Sequence, residues 1–320
     1  MIHLLRRDAL NETRWKTCLQ KAHQPLVYVQ FWYLEAVCAG QWAALVEMQG
    51  EEYVSLFPVP VRRRLGQASV YQPLFTQQLG LVLTPTSQHR TVEEYLNVLT
   101  AAYPRGQYQM PLASINPSAL PETWFWRLRP NYELSLTPDY AALRQNYSSN
   151  LRRNLQKAHK EPFTLQPTAS ITALIELFRS TKGQELPELR SRHYQRLVAL
   201  HDRARQEKAG QVWEVRSGNN LLAAAFMLTT PDRITFLFGA SSARGRQQNA
   251  MAYLLDQLIQ RAAGSGKTFD FEGSEVPGVA NFYAGFGAQP VSYVSLSLQS
   301  NLSALQWTPT VFSFLARHLR

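Results

Sequence analysis

The stretch FLFGASSARGRQQNAMAYLLDQLIQRAAGSGKTFDFEGSEVPGVANFYAGFGAQP, residues 236–290, decides how this chain is read. Its first residues close an apolar strand, DRITFLFGAS. NAMAYLLDQLIQRAAGSG then reads as a helix, KTFDFEGS as a strand and PGVANFYAG as a short helix, and VSYVSLSL follows as a final strand. Upstream, QVWEVRSG, NLLAAAFMLTT and DRITFLFGAS are successive strands, separated by turns at Ser217-Gly218-Asn219-Asn220 and Thr230-Pro231-Asp232. Before them ITALIELFRSTKG and LPELRSRHYQRLVALHDRARQEKAG are amphipathic helices, each ending near a glycine, and FTLQP is a strand. The order is β-α-α-β-β-β-α-β-α-β. A meander followed by alternating helix and strand leaves few folds open, because connections are short and of fixed hand.

Working outward, the pattern changes near Pro138. DYAALRQN and SSNLRRNLQKAHK form two short polar helices, the second capped by Ser149 or Asn150. The first half is also α/β. VYVQFWYLEAV (Val27–Val37) is a buried helix or strand, and periodicity does not decide between them. EEYVSLFPVPV (Glu51–Val61) alternates like a strand, with Pro58 and Pro60 implying an edge or a strand end. TVEEYLNVLTAAY (Thr91–Tyr103) is a helix, with Thr91 as N-cap and Glu94 three residues on. QYQMPLAS and NYELSL are short strands around the loop NPSALPETW.

Composition bounds the function. The chain has 320 residues, 45% of them hydrophobic and 18% charged, enough for two globular domains. No apolar run reaches the ~18 residues of a membrane span, and MIHLLRRDALNETRWK breaks into charge too early for a signal peptide, so a cytoplasmic protein without an integral membrane segment is expected. Cys18 and Cys38 lie outside any CxxC or Cys/His spacing, and no metal site is expected. A net charge of +10 and a pI near 9.7 favour anionic partners such as RNA, coenzyme A, nucleotide-linked molecules or an anionic lipid surface.

Residues 236–290 resemble the Fem-type (FemAB-like) peptidyltransferases and the wider GNAT acyltransferase superfamily. The matching features are, in order, the strand-end GASS, the DFEGS strand terminus and the G-V-x-x-F-x-x-G-F-G helix. SNLRRNLQKAHK resembles the basic helix before the second GNAT-like domain of that family, and QPLFTQQLGL (Gln72–Leu81) resembles part of its first domain. The resemblance implies an α/β (α+β) chain of two GNAT-like domains, each a mixed central sheet flanked by helices. They would cover residues 1–137 and 138–300, with a helical tail over 301–320. It further implies amide-forming transfer, without a bound cofactor, from acyl-CoA as co-substrate or from aminoacyl-tRNA. The acceptor would be a small-molecule or peptide amine, including a nucleotide-linked cell-wall precursor.

The site residues follow from the same resemblance. GNAT domains hold the coenzyme A pyrophosphate on backbone N–H groups of an R-x-x-G-x-G/A segment at a helix N-terminus. Here the segment is Arg244-Gly245-Arg246-Gln247-Gln248-Asn249-Ala250, with Gln247 and Asn249 where glycines are expected. That departure argues against a conventional acyl-CoA site, although Asn tolerates a left-handed backbone. In tRNA-using relatives the residue after the Phe of FYAGFG is commonly Lys; here it is Tyr283. In acetyltransferases a Tyr four residues before this Gly protonates the departing thiolate. Tyr283 has that spacing from Gly287, and a phenol of pKa ~10 suits the task. Packing of a short helix accounts for it equally well.

Asp270 and Glu272 alternate with Phe269 and Phe271, which puts both carboxylates on one side of a strand. Glu272 lies beyond the strand C-terminus, where ligands gather in open α/β sheets. It is placed to orient or deprotonate an acceptor ammonium, or simply to bond an Arg or the following turn. Gly239 and Ser241 end the preceding strand, at a donor or acceptor entrance or only at a turn. Arg153, Lys157 and Lys160 recur at i, i+4 and i+7 with Arg152 beside them, a face for phosphates or a plain solvated surface. Arg62-Arg63-Arg64 reads as a further anionic contact or a guarded strand edge. The sequence has no G-x-S-x-G, so a covalent nucleophile is not expected. Three readings stay open: an N-acyltransferase, an aminoacyl-tRNA-dependent ligase of peptidoglycan precursors, and a non-catalytic binding protein retaining the fold.

Overall fold

The computed structural model describes residues 1–23, 25–64 and 66–298; the tail expected over 301–320 lies outside them. The chain forms two compact units, one of residues 1–129 and 292–298, the other of residues 130–291. The boundary expected at 137/138 falls in the loop after the strand that leads into the second unit.

The first unit contains β1 (Ile2–Arg6), α1 (Glu12–Lys21), α2 (Phe31–Cys38), β2 (Trp42–Gln49), β3 (Glu52–Arg64), β4 (Gln67–Val70), β5 (Val82–Leu83), α3 (Val92–Ala102) and β6 (Gly106–Pro111). VYVQFWYLEAV resolves into a single helical turn at Val27–Val29 followed by α2. Nearly every residue there is buried, so no polar face marked its period. β1, β2, β3 and β4 pair antiparallel in order, and β4 meets β6 in parallel at Val70 and Gly106, which makes the sheet mixed.

Pro58 and Pro60 do not mark an edge or an end. They sit inside β3, opposite Ala44 and Trp42 of β2. On its other side β3 pairs with β5 at Ser55–Leu56 and with β4 from Val61, so the prolines occupy the interval between two ladders, where no N–H is needed. Arg62, Arg63 and Arg64 pair with β4 in a hairpin, while among the described residues the β2 ladder on the other side of β3 ends at Pro60. α3 starts as expected, with the Glu94 carboxylate accepting from the Thr91 N–H at 3.1 Å.

β7 (Trp124–Ser135) leads into the second unit, followed by α4 (Tyr140–Gln145), α5 (Ser149–Ala158), β8 (Thr164–Thr168), α6 (Thr172–Arg179), α7 (Ser191–Gln206), β9 (Gly210–Ser217), β10 (Asn220–Thr229), β11 (Arg233–Ser241), α8 (Ala243–Gln247), α9 (Ala250–Ala262), β12 (Thr268–Asp270) and α10 (Pro277–Ala284). β8, β9, β10 and β11 form an antiparallel meander, β12 adds in parallel to β11, and Glu133–Ser135 of β7 pairs antiparallel with β12. α5 and α9 bury Leu151, Leu155, Leu254 and Leu258 in one apolar cluster with Val215, Ala225 and Phe269 of the strands. The expected cap of α5 is off by one residue: Ser148 Oγ accepts from the Leu151 N–H at 3.2 Å. α7 ends before its glycine, because Lys208 takes the left-handed position, at φ +56°.

The last strand, β13 (Gln289–Leu298), departs from the expected order. From Ser292 it belongs to the first unit, pairing Tyr293–Leu298 antiparallel with β6.

Candidate active site

β11 and β12 run side by side only as far as Thr235 and Asp270. Beyond that point β11 continues to Ser241 while the chain leaves β12 through Phe271, so the two strands part. The register between β10 and β11 slips at the same level, Phe226 facing Phe238 and Met227 facing Phe236, which makes Leu237 a bulge. Bulges of this kind re-aim the following side chains. Gly239 lies on the strand face toward α9, where a Cβ would crowd the Phe236 ring and come within 3.2 Å of the Met251 methyl carbon. Its lack of a side chain is therefore a packing requirement at the opening.

The DFEGS turn is held by Asp270. Its carboxylate accepts from Arg233 Nη1 at 2.8 Å, from Asn131 Nδ2 at 3.0 Å and from the Glu272 N–H at 2.9 Å. Arg233 also donates to Glu133 at 2.7 Å. Glu272 and Gly273 both take left-handed backbones, at φ +55° and +40°. For glutamate that conformation costs on the order of 1 kcal/mol, and the surrounding contacts over-determine it. A Cβ at Gly273 would overlap the Pro130 carbonyl oxygen. The expectation that Asp270 and Glu272 share one strand is corrected: β12 ends at Asp270, and Glu272 lies in the left-handed turn that follows. Asp270 is an anchor, and Glu272 is the buried carboxylate presented after it.

Tyr283, on α10, is buried beside this turn, its ring centroid 4.9 Å from that of Phe271 and 6.2 Å from that of Tyr132. Burial pushes its phenol well above the ordinary tyrosine value, and the charges of Glu272 and Asp270 push it further in the same direction. The structure therefore brings Glu272 and Tyr283 together electrostatically, in a setting that makes Tyr283 a weaker acid than a free phenol.

The segment expected to bind the donor joins β11 to α9. Ser242 caps α8, accepting from the Gly245 N–H at 2.9 Å, and a side chain at Gly245 would run into the Leu222 carbonyl. Arg246 Nη1 donates to the Ser241 carbonyl at 2.9 Å, and Arg244 Nε to Gln248 at 3.2 Å. Gln247 closes α8, and Asn249 adopts φ +58°, the backbone shape a glycine would supply. α9 begins directly after it without a side-chain cap, so its first-turn N–H groups form an anion-favouring terminus.

The basic helix links these segments. At one end the Ser148 N–H donates to the Gly285 carbonyl at 2.8 Å, directly after α10. At the other, Glu161 accepts from Gln248 Nε2 at 2.7 Å, at the α8–α9 junction. Leu151, Leu155 and Ala158 face inward, while Arg152, Arg153, Lys157 and Lys160 are exposed and form no ion pair among the described residues.

Arg233, Asn131 and Asp256 were missed in the sequence. Asp256 of α9 is fully buried and accepts from Tyr140 Oη at 2.8 Å, with His159 Nε2 at 3.8 Å. Burial raises its pKa, and the Tyr140 hydrogen bond acts against that rise. A lone carboxylate within the apolar run AMAYLLDQLI was the available signal. A polar groove of about 540 Å³ on β8 and β9, lined by Thr164, Gln166, Glu214 and Arg216, contains none of the expected site residues. Among the described residues no His, Cys, Asp and Glu group is arranged to hold a metal ion, and no helix is long and apolar enough to cross a membrane.

Residues 143–282 match the family model for an acetyltransferase (GNAT) domain. No curated protein sequence matches the chain. Among solved structures it is similar to FemX, at 10% identity and a TM-score of 0.65, covering 93% of this chain and 98% of that one. It is also similar to L-PGS from Bacillus licheniformis (12% identity, TM-score 0.53, 91% and 92% covered). A third similar structure is a tandem GNAT protein from the clavulanic acid biosynthesis pathway (10% identity, TM-score 0.50, 93% and 98% covered). These likenesses are of fold: residues 143–282 match an acetyltransferase (GNAT) domain, and the chain as a whole has a two-domain GNAT fold like that of FemX.

Proposed function

We propose that the chain is an N-acyltransferase that takes an aminoacyl group from an RNA-borne ester and transfers it to an amine held where β11 and β12 part. The observation that carries this reading is the exposed cationic face of α5, a helix anchored at one end to the turn after α10 and at the other to the α8–α9 junction. Phosphates laid along Arg152, Arg153, Lys157 and Lys160 would bring a donor's reactive end to the opening, by contacts that are electrostatic and salt-sensitive.

In this reading Glu272 receives a proton from the acceptor ammonium. The freed amine attacks the ester carbonyl, and the tetrahedral intermediate collapses with loss of a ribose hydroxyl that takes its proton from Tyr283, which is re-protonated by the nitrogen as the amide forms. Burial raises the Tyr283 pKa and so keeps the phenol protonated, the state in which it can donate to a departing oxygen. Holding the two substrates together supplies much of the rate, and no covalent enzyme intermediate is required. The acceptor class is a small-molecule or peptide amine, with a nucleotide-linked cell-wall precursor as one candidate.

A second reading, acyl-CoA as donor, is favoured by one observation: Asn249 keeps the left-handed shape of the missing glycine ahead of an uncapped α9. Thermal-shift measurements with aminoacylated tRNA and with acetyl-CoA, at low and moderate salt, separate the two. A native-state ligand at ~100 times its dissociation constant stabilises by about 2.7 kcal/mol. A salt-sensitive shift with tRNA alone is expected. A shift with acetyl-CoA alone would transfer the assignment to an acyl-CoA enzyme, and no shift with either would favour a non-catalytic binding protein.

A further inference from the structure

β7 opens with Trp124-Phe125-Trp126-Arg127-Leu128-Arg129. Trp124 and Arg129 are buried, but Phe125, Trp126 and Leu128 are 55%, 46% and 48% exposed. Side chains alternate along a strand, so Trp126 and Leu128 share one face and Phe125 lies on the other. Single exposed apolar residues are ordinary, whereas a cluster of large ones within one short segment marks an interaction surface.

The surroundings are cationic. Trp124 Nε1 donates to Thr100 Oγ1 at 3.0 Å, near the C-terminus of α3. One turn further on is Tyr103, whose phenol is raised by burial and drawn back by the nearby charges of Arg6 and Arg63. The Arg105 carbonyl accepts from the Val70 N–H at 3.1 Å, and Val70 faces Val61, the residue before Arg62-Arg63-Arg64. Arg6, Arg62, Arg63, Arg64 and Arg105 are all exposed. The end of β1, the β3–β4 hairpin, the residues after α3 and the start of β7 thus gather at one end of the first unit. Asp8 and Glu122 are the carboxylates adjoining these segments in sequence.

We propose that this end of the first unit docks on an anionic phospholipid bilayer, with Trp126 and Leu128 entering the interface and the arginines meeting the headgroups. Tryptophan is favoured at the headgroup level of a bilayer, and basic residues beside an apolar wedge add the second attraction that stable surface binding needs. The composition of the wedge favours lipid over nucleic acid, since Leu128 offers no ring on which a base can stack. The proposal is independent of the donor and acceptor chemistry assigned above.

The test is flotation of the full chain with equimolar phosphatidylglycerol and phosphatidylcholine vesicles, and with phosphatidylcholine alone. Binding to the anionic vesicles, weakened by salt, is expected, with little binding to the neutral ones. Trp126→Ser with Leu128→Ser should lower the partition coefficient at least about tenfold. Arg62→Gln with Arg63→Gln should lower it about fivefold per arginine. These positions are exposed, and unchanged melting temperatures would exclude unfolding as the cause. Absence of binding to anionic vesicles would overturn the proposal. So would a loss confined to the arginine variants, which would point to a purely electrostatic partner such as RNA.

Discussion

Arg233 and Asp270 form a 2.8 Å ion pair across the parallel strands β11 and β12, two residues before Glu272. Asp270 is buried and Arg233 largely so, and the Arg233 charge also serves Glu133. Removing one partner of such a pair leaves a desolvated charge without compensation, at a cost of roughly 3–5 kcal/mol for a fully buried pair. Arg233→Ala is therefore expected to cost about 3 kcal/mol in urea unfolding, allowing for its partial exposure. A loss under about 1 kcal/mol would mean that solvent replaces the guanidinium and that Asp270 does not anchor the turn.

Gly273→Ala tests the same turn from the backbone side. At φ +40°, with the Pro130 carbonyl where a Cβ would go, alanine is both strained and overpacked. The expected loss is about 2 kcal/mol or more, and the fall in melting temperature should be accompanied by loss of transfer activity. Full activity in a stable Gly273→Ala protein would show that the geometry after Asp270 is dispensable.

Tyr283→Phe keeps the ring contacts and removes the hydroxyl. Turnover should fall by about 10²-fold or more while the melting temperature stays nearly constant, because general acid catalysis contributes on the order of 10²–10⁴. Unaltered turnover would assign Tyr283 to packing alone.

The tyrosines also predict alkaline behaviour. Tyr108 and Tyr283 are both raised, chiefly by burial. A raised folded-state pKa means that the neutral phenol's contribution is fully present below the unfolded value of ~10 and is lost as pH climbs through the folded value. Stability should therefore decline above about pH 10, and tyrosinate absorbance should lag behind that of free tyrosine until the chain unfolds. A titration that superimposes on free tyrosine would contradict the burial.

Asp256→Asn removes a buried charge but keeps an acceptor for Tyr140. The raised pKa of Asp256 means that the folded state favours its protonated form more than the unfolded chain does, so that stability falls as pH climbs from the unfolded carboxylate value through the folded one. The variant should lose that part of the pH dependence between acid and neutral pH and should melt no lower than wild type at pH 7. A clearly lower melting temperature at pH 7 would show that the ionised carboxylate, with Tyr140 and His159, is needed to hold α4 and α5 on α9.

The element order of the second unit was readable because its periods differ sharply. Apolar residues in AMAYLLDQLIQ recur at helical spacing, whereas KTFDFEGS alternates, and short polar turns separate β9, β10 and β11. VYVQFWYLEAV carried no period because burial on every side removes the polar face that would report one. The prolines of β3 misled because the sequence does not show that its outer ladder is interrupted there. Of the candidate site, Glu272, Tyr283 and the segment from Arg244 to Asn249 were proposed from short, ordered patterns in the sequence. Arg233, Asn131 and Asp256 were not, since their roles depend on strand register and helix packing between residues far apart in the chain.

The return of β13 to the first unit bears on the order in which the molecule is made. Residues 1–129 emerge early, yet the strand that pairs with β6 is not available until position 298 has been synthesised. Domains tend to fold as units while the chain emerges from the ribosome. Here the first unit must wait, with one side of β6 unpaired, until the intervening second unit has been translated. An open strand side is a template for mispairing. Cutting the gene at the domain boundary would therefore yield an amino-terminal fragment that aggregates, and co-expression of the missing carboxy-terminal strand would be its remedy.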